Sequence, residues 1–257
     1  MRSLKLTLAY DGTAYVGWQR QENGVSVQEM VEDAFVPLLC GGNDAAGRRG
    51  PTVAGAGRTD AGVHALGQVA SVNVEIDVPA LSIQRALNAR LPADIRVLGV
   101  VDARPGFHAR HHATGKLYRY RVVTTPVLSP FERLYAWHAP EARDLGAMRA
   151  AAGRLVGTHD FASFQARGAT VRHTVRTIHR LDVAADGAGG LTIEVEGDGF
   201  LRHMVRAIAG TLIEVAGGLR PPESLDPMIA RRDRQAGGPT APAAGLTLVA
   251  VRYPAVC

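Results

Sequence analysis

The sequence predicts an α+β protein in which a mostly antiparallel sheet carries helices on one face. Three observations carry that expectation. Apolar and polar residues alternate over short runs, as in half-buried strands. Segments of helical period fall between those runs, and one of them opens with a capping box. The strands also come as hairpin-like neighbours with helices interspersed, the pattern of α+β architecture.

In chain order, LKLTLAY (4–10) alternates as a strand and closes at the turn residues Asp11 and Gly12. Ser26-Val27-Gln28-Glu29 is the capping box, and its helix is expected to run to about Leu39. CGGNDAAGRRGPT reads as a loop, QVASVNVEI as a strand, LSIQRALNARL as a helix and IRVLGVVDA as a strand. The second half repeats this order of elements without a visible sequence repeat. KLYRYRVV, VRTIHRLDVA, LTIEVEG and LTLVAVRY read as strands. DLGAMRAAAGRLV, FLRHMVRAIAGTLIEVAGG and residues Leu225 to Arg231 read as helices. An acid-free stretch near residue 105 marks the expected boundary, giving halves 1–105 and 106–257.

At 257 residues, 46% hydrophobic and 21% charged, the chain has the composition of an ordinary globular protein with ample core. No apolar run approaches the roughly 20 residues of a membrane span, and MRSLKLTLAYDG lacks a signal-peptide core, so a cytoplasmic protein is expected. Cys40 and Cys257 form no disulfide framework or metal-ligand spacing. The net charge is +5, and Lys5 and Lys116 are the only lysines. That charge is segregated. Residues 103–131 contain no Asp or Glu but hold Arg104, Arg110, Lys116, Arg119 and Arg121 with His108, His111 and His112. Residues 161–181 hold Arg167, Arg172, Arg176 and Arg180, and residues 199–213 hold Arg202, His203 and Arg206, again without acids. Such stretches suit a phosphate-binding surface.

The segment GAGRTDAGVHA (55–65) sets one carboxylate, Asp60, among glycines. It is not a dinucleotide fingerprint, because Asp60 stands where a glycine is required and would repel a pyrophosphate. Nor is it a P-loop, since Val63 and His64 occupy the places of Lys and Ser/Thr. His111-His112 and His159-Asp160 match no metal motif, and no GxSxG nucleophile elbow is present. Residues two apart in extended backbone point to one side, so Arg58 and Asp60 are expected to pair, which favours the ionised carboxylate. An ionised carboxylate is ready to act as a nucleophile and poorly suited to be a general acid.

GRTDAGVHA resembles the signature of the TruA family of tRNA pseudouridine synthases, and the likeness runs along the whole chain. Tyr10-Asp11-Gly12-Thr13, Gly17-Trp18-Gln19-Arg20-Gln21 and Val27-Gln28 are similar to the family's opening block. Phe107-His108-Ala109-Arg110 and Lys116-Leu117-Tyr118-Arg119-Tyr120 resemble its F-x-A-R…K-x-Y-x-Y segment. Thr158-His159-Asp160-Phe161 with Arg176-Thr177-Ile178, Phe200-Leu201 with Met204-Val205-Arg206, and Ala241-Pro242-Ala243 with Gly245-Leu246 follow in order.

The resemblance implies a pseudouridine synthase fold: two similar α/β halves whose mostly antiparallel sheets join, with helices packed on them and a central RNA-binding cleft. It further implies a homodimer that isomerises uridines 38, 39 and 40 of the tRNA anticodon stem-loop, with no cofactor and no metal. On this analogy Asp60 is the catalytic carboxylate, and its route (addition to C6, addition to C1′, or help in removing a C2′ proton) stays open. Arg58 and Arg206 are the implied cations that keep it charged. Tyr118 would stack on the flipped uracil and help remove the C5 proton, although a phenol is a reluctant base at neutral pH. Leu246 would pack on the base's other side. Tyr120 is better read as a core aromatic. Arg110, Arg167, Arg172 and Arg202 are candidates for phosphates along the stem, Gln19 and Arg20 for further RNA contact, and His64 for a supporting role near Asp60. The chain departs from the family pattern at the long loop Gly41 to Pro51, at Ala207 and at Thr247. The rival of a different class is a non-catalytic RNA-binding protein on the same scaffold, which would not need Asp60, Arg58, Tyr118 and Arg206 together.

Overall fold

The computed structural model describes residues 1–40, 49–166, 168, 171–187 and 189–255. Arg167 and most of the Gly41–Pro51 loop lie outside these residues. The chain divides into two compact units: Met1–Thr114 with Leu248–Cys257, and Gly115–Thr247. This division differs from the expected one at residue 105. Phe107 and Ala109 are buried with Ala56 and Val69, and Val251 and Tyr253 pack against them. The Tyr253 hydroxyl also donates to Ala109 O (2.7 Å). Apolar burial thus holds residues 106–114 and the C-terminal segment in the first unit.

In the first unit, β1 (Arg2–Tyr10) is followed by α1 (Val27–Leu39), the short β2 (Ala54–Gly55), β3 (His64–Val74), α2 (Ala80–Asn88) and β4 (Ile95–Asp102). β1 is antiparallel to both β3 and β4, and β2 pairs with β3. The alternation seen in the sequence is a real two-sidedness: Leu4, Leu6, Leu8 and Tyr10 all turn into the core. The Ser26 hydroxyl accepts from Glu29 N, as the capping box expects, and Val27, Val31 and Phe35 are buried on the inner face of α1. α2 guards the edge of the sheet. Asn88 donates to Val97 O and accepts from Val97 N, while Gln84 donates to Leu98 O, so the outward backbone groups of β4 find partners.

The second unit contains β5 (Gly115–Val123), β6 (Trp137–His138), α3 (Leu145–Gly153), β7 (Gly157–Asp160), β8 (Val175–Ala185) and β9 (Gly190–Gly197). Its order is β5-β9-β8-β7, all antiparallel, with β6 parallel to β5. α4 (Met204–Ala216) and α5 (Leu225–Arg231) complete it. α4 is buried on nearly every side, as expected for a central helix. It starts at Met204 and not at Phe200, because His203 takes a left-handed conformation (φ 61°) that halts the helix before it. The last strand, β10 (Leu246–Arg252), carries the chain back into the first unit beside β3. No helix among the described residues is long and apolar enough to cross a membrane.

Candidate active site

Asp60 sits at the head of a tight turn. Val63 N donates to Asp60 O (3.1 Å), closing residues 60–63, and Gly62 at the third position has φ 77°. A turn with positive φ at that position favours glycine, which accounts for the Asp-Ala-Gly spacing. The segment 10–18 lies along this turn. Trp18 N donates to Thr59 O (3.1 Å), Gly62 N donates to Tyr15 O (3.3 Å), and Gly17 forms an isolated bridge with Asp60. A Cβ on Gly12 would stand 2.0 Å from Val63 O, so the two backbones meet where no side chain fits.

Beneath the turn is a buried polar network. The Tyr10 hydroxyl and Thr59 Oγ1 are 2.9 Å apart, and Gln68 Nε2 donates to Gly57 O (3.0 Å) and reaches the Tyr10 hydroxyl at 3.4 Å. Burial pushes the Tyr10 phenol up to about 12, against the pull of its bonds with Thr59 and Gln68. Gln68 is fully buried, and nothing in its strand pattern set it apart from a surface glutamine. His64, 5% exposed, accepts from Gly12 N at Nδ1 (3.1 Å). The ring is thus buried against the turn, with its Nδ1 engaged by residue 12.

The expected Arg58–Asp60 pair needs correction: among the described residues no ion pair links Arg58 to Asp60. The backbone bends at residues 56–57, Thr59 turns into the core and Arg58 turns out to solvent.

In the second unit, Tyr118 on β5 is 7% exposed and meets Phe200 edge-on (centroids 5.3 Å, 86°). Arg206 is half-buried on the first turn of α4. Its Nε donates to Ala241 O (2.7 Å), and Ala241 N donates to Arg206 O (3.1 Å). Tyr120 is wholly buried, and its hydroxyl donates to Pro242 O (2.7 Å). A Cβ on Gly245 would fall 2.6 Å from that ring. Residues 241–246 are thus held between α4 and β5, with Leu246 buried. The Tyr120 phenol is raised by burial, with the Arg206 charge pulling the other way, which places these two side chains within electrostatic reach. Tyr120 is a core aromatic, as the sequence suggested. Phe200 was legible only as part of a motif, because its contact with Tyr118 needs the β5–β9 pairing.

The candidate RNA contacts divide. Gln19, Arg110, Arg172 and Arg202 are exposed. Arg20 is instead a structural cation. Its guanidinium reaches Glu29 (3.2 Å), Glu32 (3.0 Å) and Asp33 (3.2 Å) on α1, and so pins the segment after Trp18 to that helix. Beside Arg110, His108 Nδ1 accepts from Arg110 N and His112 Nδ1 accepts from His108 N. Burial, then the charges of His111, His112 and Arg110, lowers His108 from its ordinary value.

The α+β scaffold presents a glycine-flanked aspartate on a turn held by segment 10–18. A family model described as tRNA pseudouridine synthase matches residues 7–111 and 151–254. The tRNA pseudouridine synthase A of Syntrophotalea carbinolica is 45% identical over 98% of this chain and 97% of its own length. That of Geobacter sulfurreducens is 45% identical over 98% of this chain and all of its own, and that of Myxococcus xanthus 44% over 98% and 92%. The chain belongs to the tRNA pseudouridine synthase family, a family of isomerases.

Proposed function

We propose that this chain converts uridine to pseudouridine at positions 38, 39 and 40 of the tRNA anticodon stem-loop, with Asp60 as the catalytic carboxylate. The turn Asp60–Val63 carries the reading. It offers one half-buried carboxylate on a backbone fixed from both sides, and the glycines at 17 and 62 add no bulk to the segments that hold it.

The reaction breaks the N1–C1′ bond of uridine and joins C1′ to C5. The C5 proton leaves, N1 gains a proton, and no electron changes hands. Asp60 as a carboxylate serves each of three routes: addition to C6, attack on C1′, or removal of a C2′ proton. Tyr118 stacks on the base and assists loss of the C5 proton, Leu246 keeps water from the intermediate, and Arg206 supplies positive charge. The target must leave its helix, at a cost of a few kcal/mol. Exposed Arg110, Arg172 and Arg202 offset that cost by neutralising phosphates, with Arg58 and Gln19 as further contacts. The enzyme works as a homodimer, a reading supported by the family resemblance, and acts in the cytoplasm.

The test is tritium release from tRNA labelled at C5 of uridine, in EDTA without cofactor, by the wild-type chain and by Asp60→Asn. Release by the wild type alone supports the proposal. Release by both proteins removes Asp60 from its role, and binding without any release leaves a non-catalytic RNA-binding protein.

A further inference from the structure

We propose that His64 is a positioning residue for the reaction: its Nδ1 ties residues 11–12 to the Asp60 turn and thereby sets the aim of the carboxylate. The proposal rests on Asp60 being the catalytic group.

Segment 10–18 is fastened to 59–64 at successive points. At one end stand Tyr10 with Thr59, Trp18 N with Thr59 O and the Gly17–Asp60 bridge, and in the middle Gly62 N donates to Tyr15 O. On the far side of the turn the tie is a side chain. His64 Nδ1 stands 3.1 Å from Gly12 N and also 3.1 Å from Asp11 Oδ1. It therefore faces a backbone donor and a carboxylate acceptor on adjacent residues. With no hydrogen on Nδ1 the ring accepts from Gly12 N–H, and in the tautomer with hydrogen on Nδ1 it donates to Asp11 Oδ1. Either pairing fastens the same segment to the same turn.

Asp11 is itself oriented, since its Oδ1 accepts from Thr13 N (3.0 Å) and Thr13 Oγ1 (2.6 Å). The Gly12 backbone lies so close to Val63 that a Cβ would stand 2.0 Å from Val63 O, which leaves the joint little slack. His64 is four residues from Asp60 and its Nδ1 is engaged with residues 11–12, so it acts through the turn. A displacement of the turn by about 1 Å is enough to cost on the order of 10²-fold in rate while leaving RNA binding intact.

The experiment measures kcat, KM for tRNA and thermal midpoint for His64→Leu, His64→Asn and Gly12→Ala, with Asp60→Asn alongside. Leucine fills the site but bonds with neither partner. Asparagine offers an amide donor and acceptor at about the reach of Nδ1. The expected result is a kcat lowered roughly 10- to 100-fold in His64→Leu with KM within about threefold of wild type. His64→Asn recovers most of that kcat, and Gly12→Ala reproduces the leucine pattern. Full turnover by a folded His64→Leu overturns the proposal, as does an equal kcat loss in the Leu and Asn variants. If His64→Leu does not fold, the other two decide: near-normal kcat in His64→Asn with low kcat in Gly12→Ala supports the joint, and any other combination overturns it. Turnover by Asp60→Asn would sink the reading of Asp60 itself. An inactive Asp60→Asn beside a fully active His64→Leu sinks only the positioning role.

Discussion

Gly17 and Asp60 pair as an isolated antiparallel bridge, and the pairing leaves no room for a side chain at position 17. Gly17 has φ 111°, and a Cβ there would fall 2.5 Å from Thr59 O. Gly17→Ala is therefore strained both in its own backbone and against the residue before the aspartate. We expect a loss of about 1–3 kcal/mol in stability and a drop in turnover that exceeds the loss of folded protein. Urea midpoints and tritium release on the same preparation check this, and an unchanged midpoint would show that the bridge gives way cheaply.

Arg20 and the exposed arginines should fail in opposite ways. Arg20→Ala strips a cation from three carboxylates, including the buried Glu32, which is left with Gln28 and Val53 N as partners among the described residues. Its stability should fall by about 1–3 kcal/mol, with the salt dependence of tRNA binding unchanged.

Arg110→Ala and Arg202→Ala should leave the unfolding midpoint unchanged, because both side chains are exposed. Each should weaken tRNA binding and reduce the slope of log K against log salt by about one unit. A titration between low and moderate salt reads this directly, and an unaltered slope removes that arginine from the RNA surface.

Alkaline stability follows from the buried phenols. Tyr10 is raised from its ordinary 10.0 to about 12, and Tyr15 and Tyr120 are also raised, all mainly by burial. The folded state holds these protons more tightly than the unfolded chain does. Their contribution is fully present below about pH 10 and lost as pH climbs toward 12, on the order of 2–3 kcal/mol for Tyr10. Urea midpoints at pH 9 and 11.5 should fall steeply, and Tyr10→Phe should flatten the decline. Equal slopes for the two proteins would mean that Tyr10 does not control it.

Much of the fold is local and was readable along the chain. The capping box Ser26–Glu29 and the helix Leu225–Arg231 appear where the residues put them, because caps and helical periods act within a few residues. Other boundaries were not. The helix expected over LSIQRALNARL stops at Asn88, whose side chain is engaged with Val97 on a neighbouring strand. The strand expected at Gln68 begins at His64, since the β1 partnership extends to Tyr10 and Ala65.

By itself the sequence determined the alternation of strands and helices, the glycine-framed turn at Asp60, the core reading of Tyr120 and the family. Each depends on residue type and near-neighbour spacing. Only the tertiary structure decided which charges meet. Arg58, two residues from Asp60, turns to solvent, while Arg20 gathers three carboxylates from a helix that starts seven residues later. It also decided that His64 stands behind the Asp60 turn against Asp11 and Gly12, more than 50 positions away in the chain. The physical reason is common to both. An ion pair or hydrogen bond depends on where backbone burial aims a side chain, and that direction is set by strand pairing and core packing rather than by distance along the sequence.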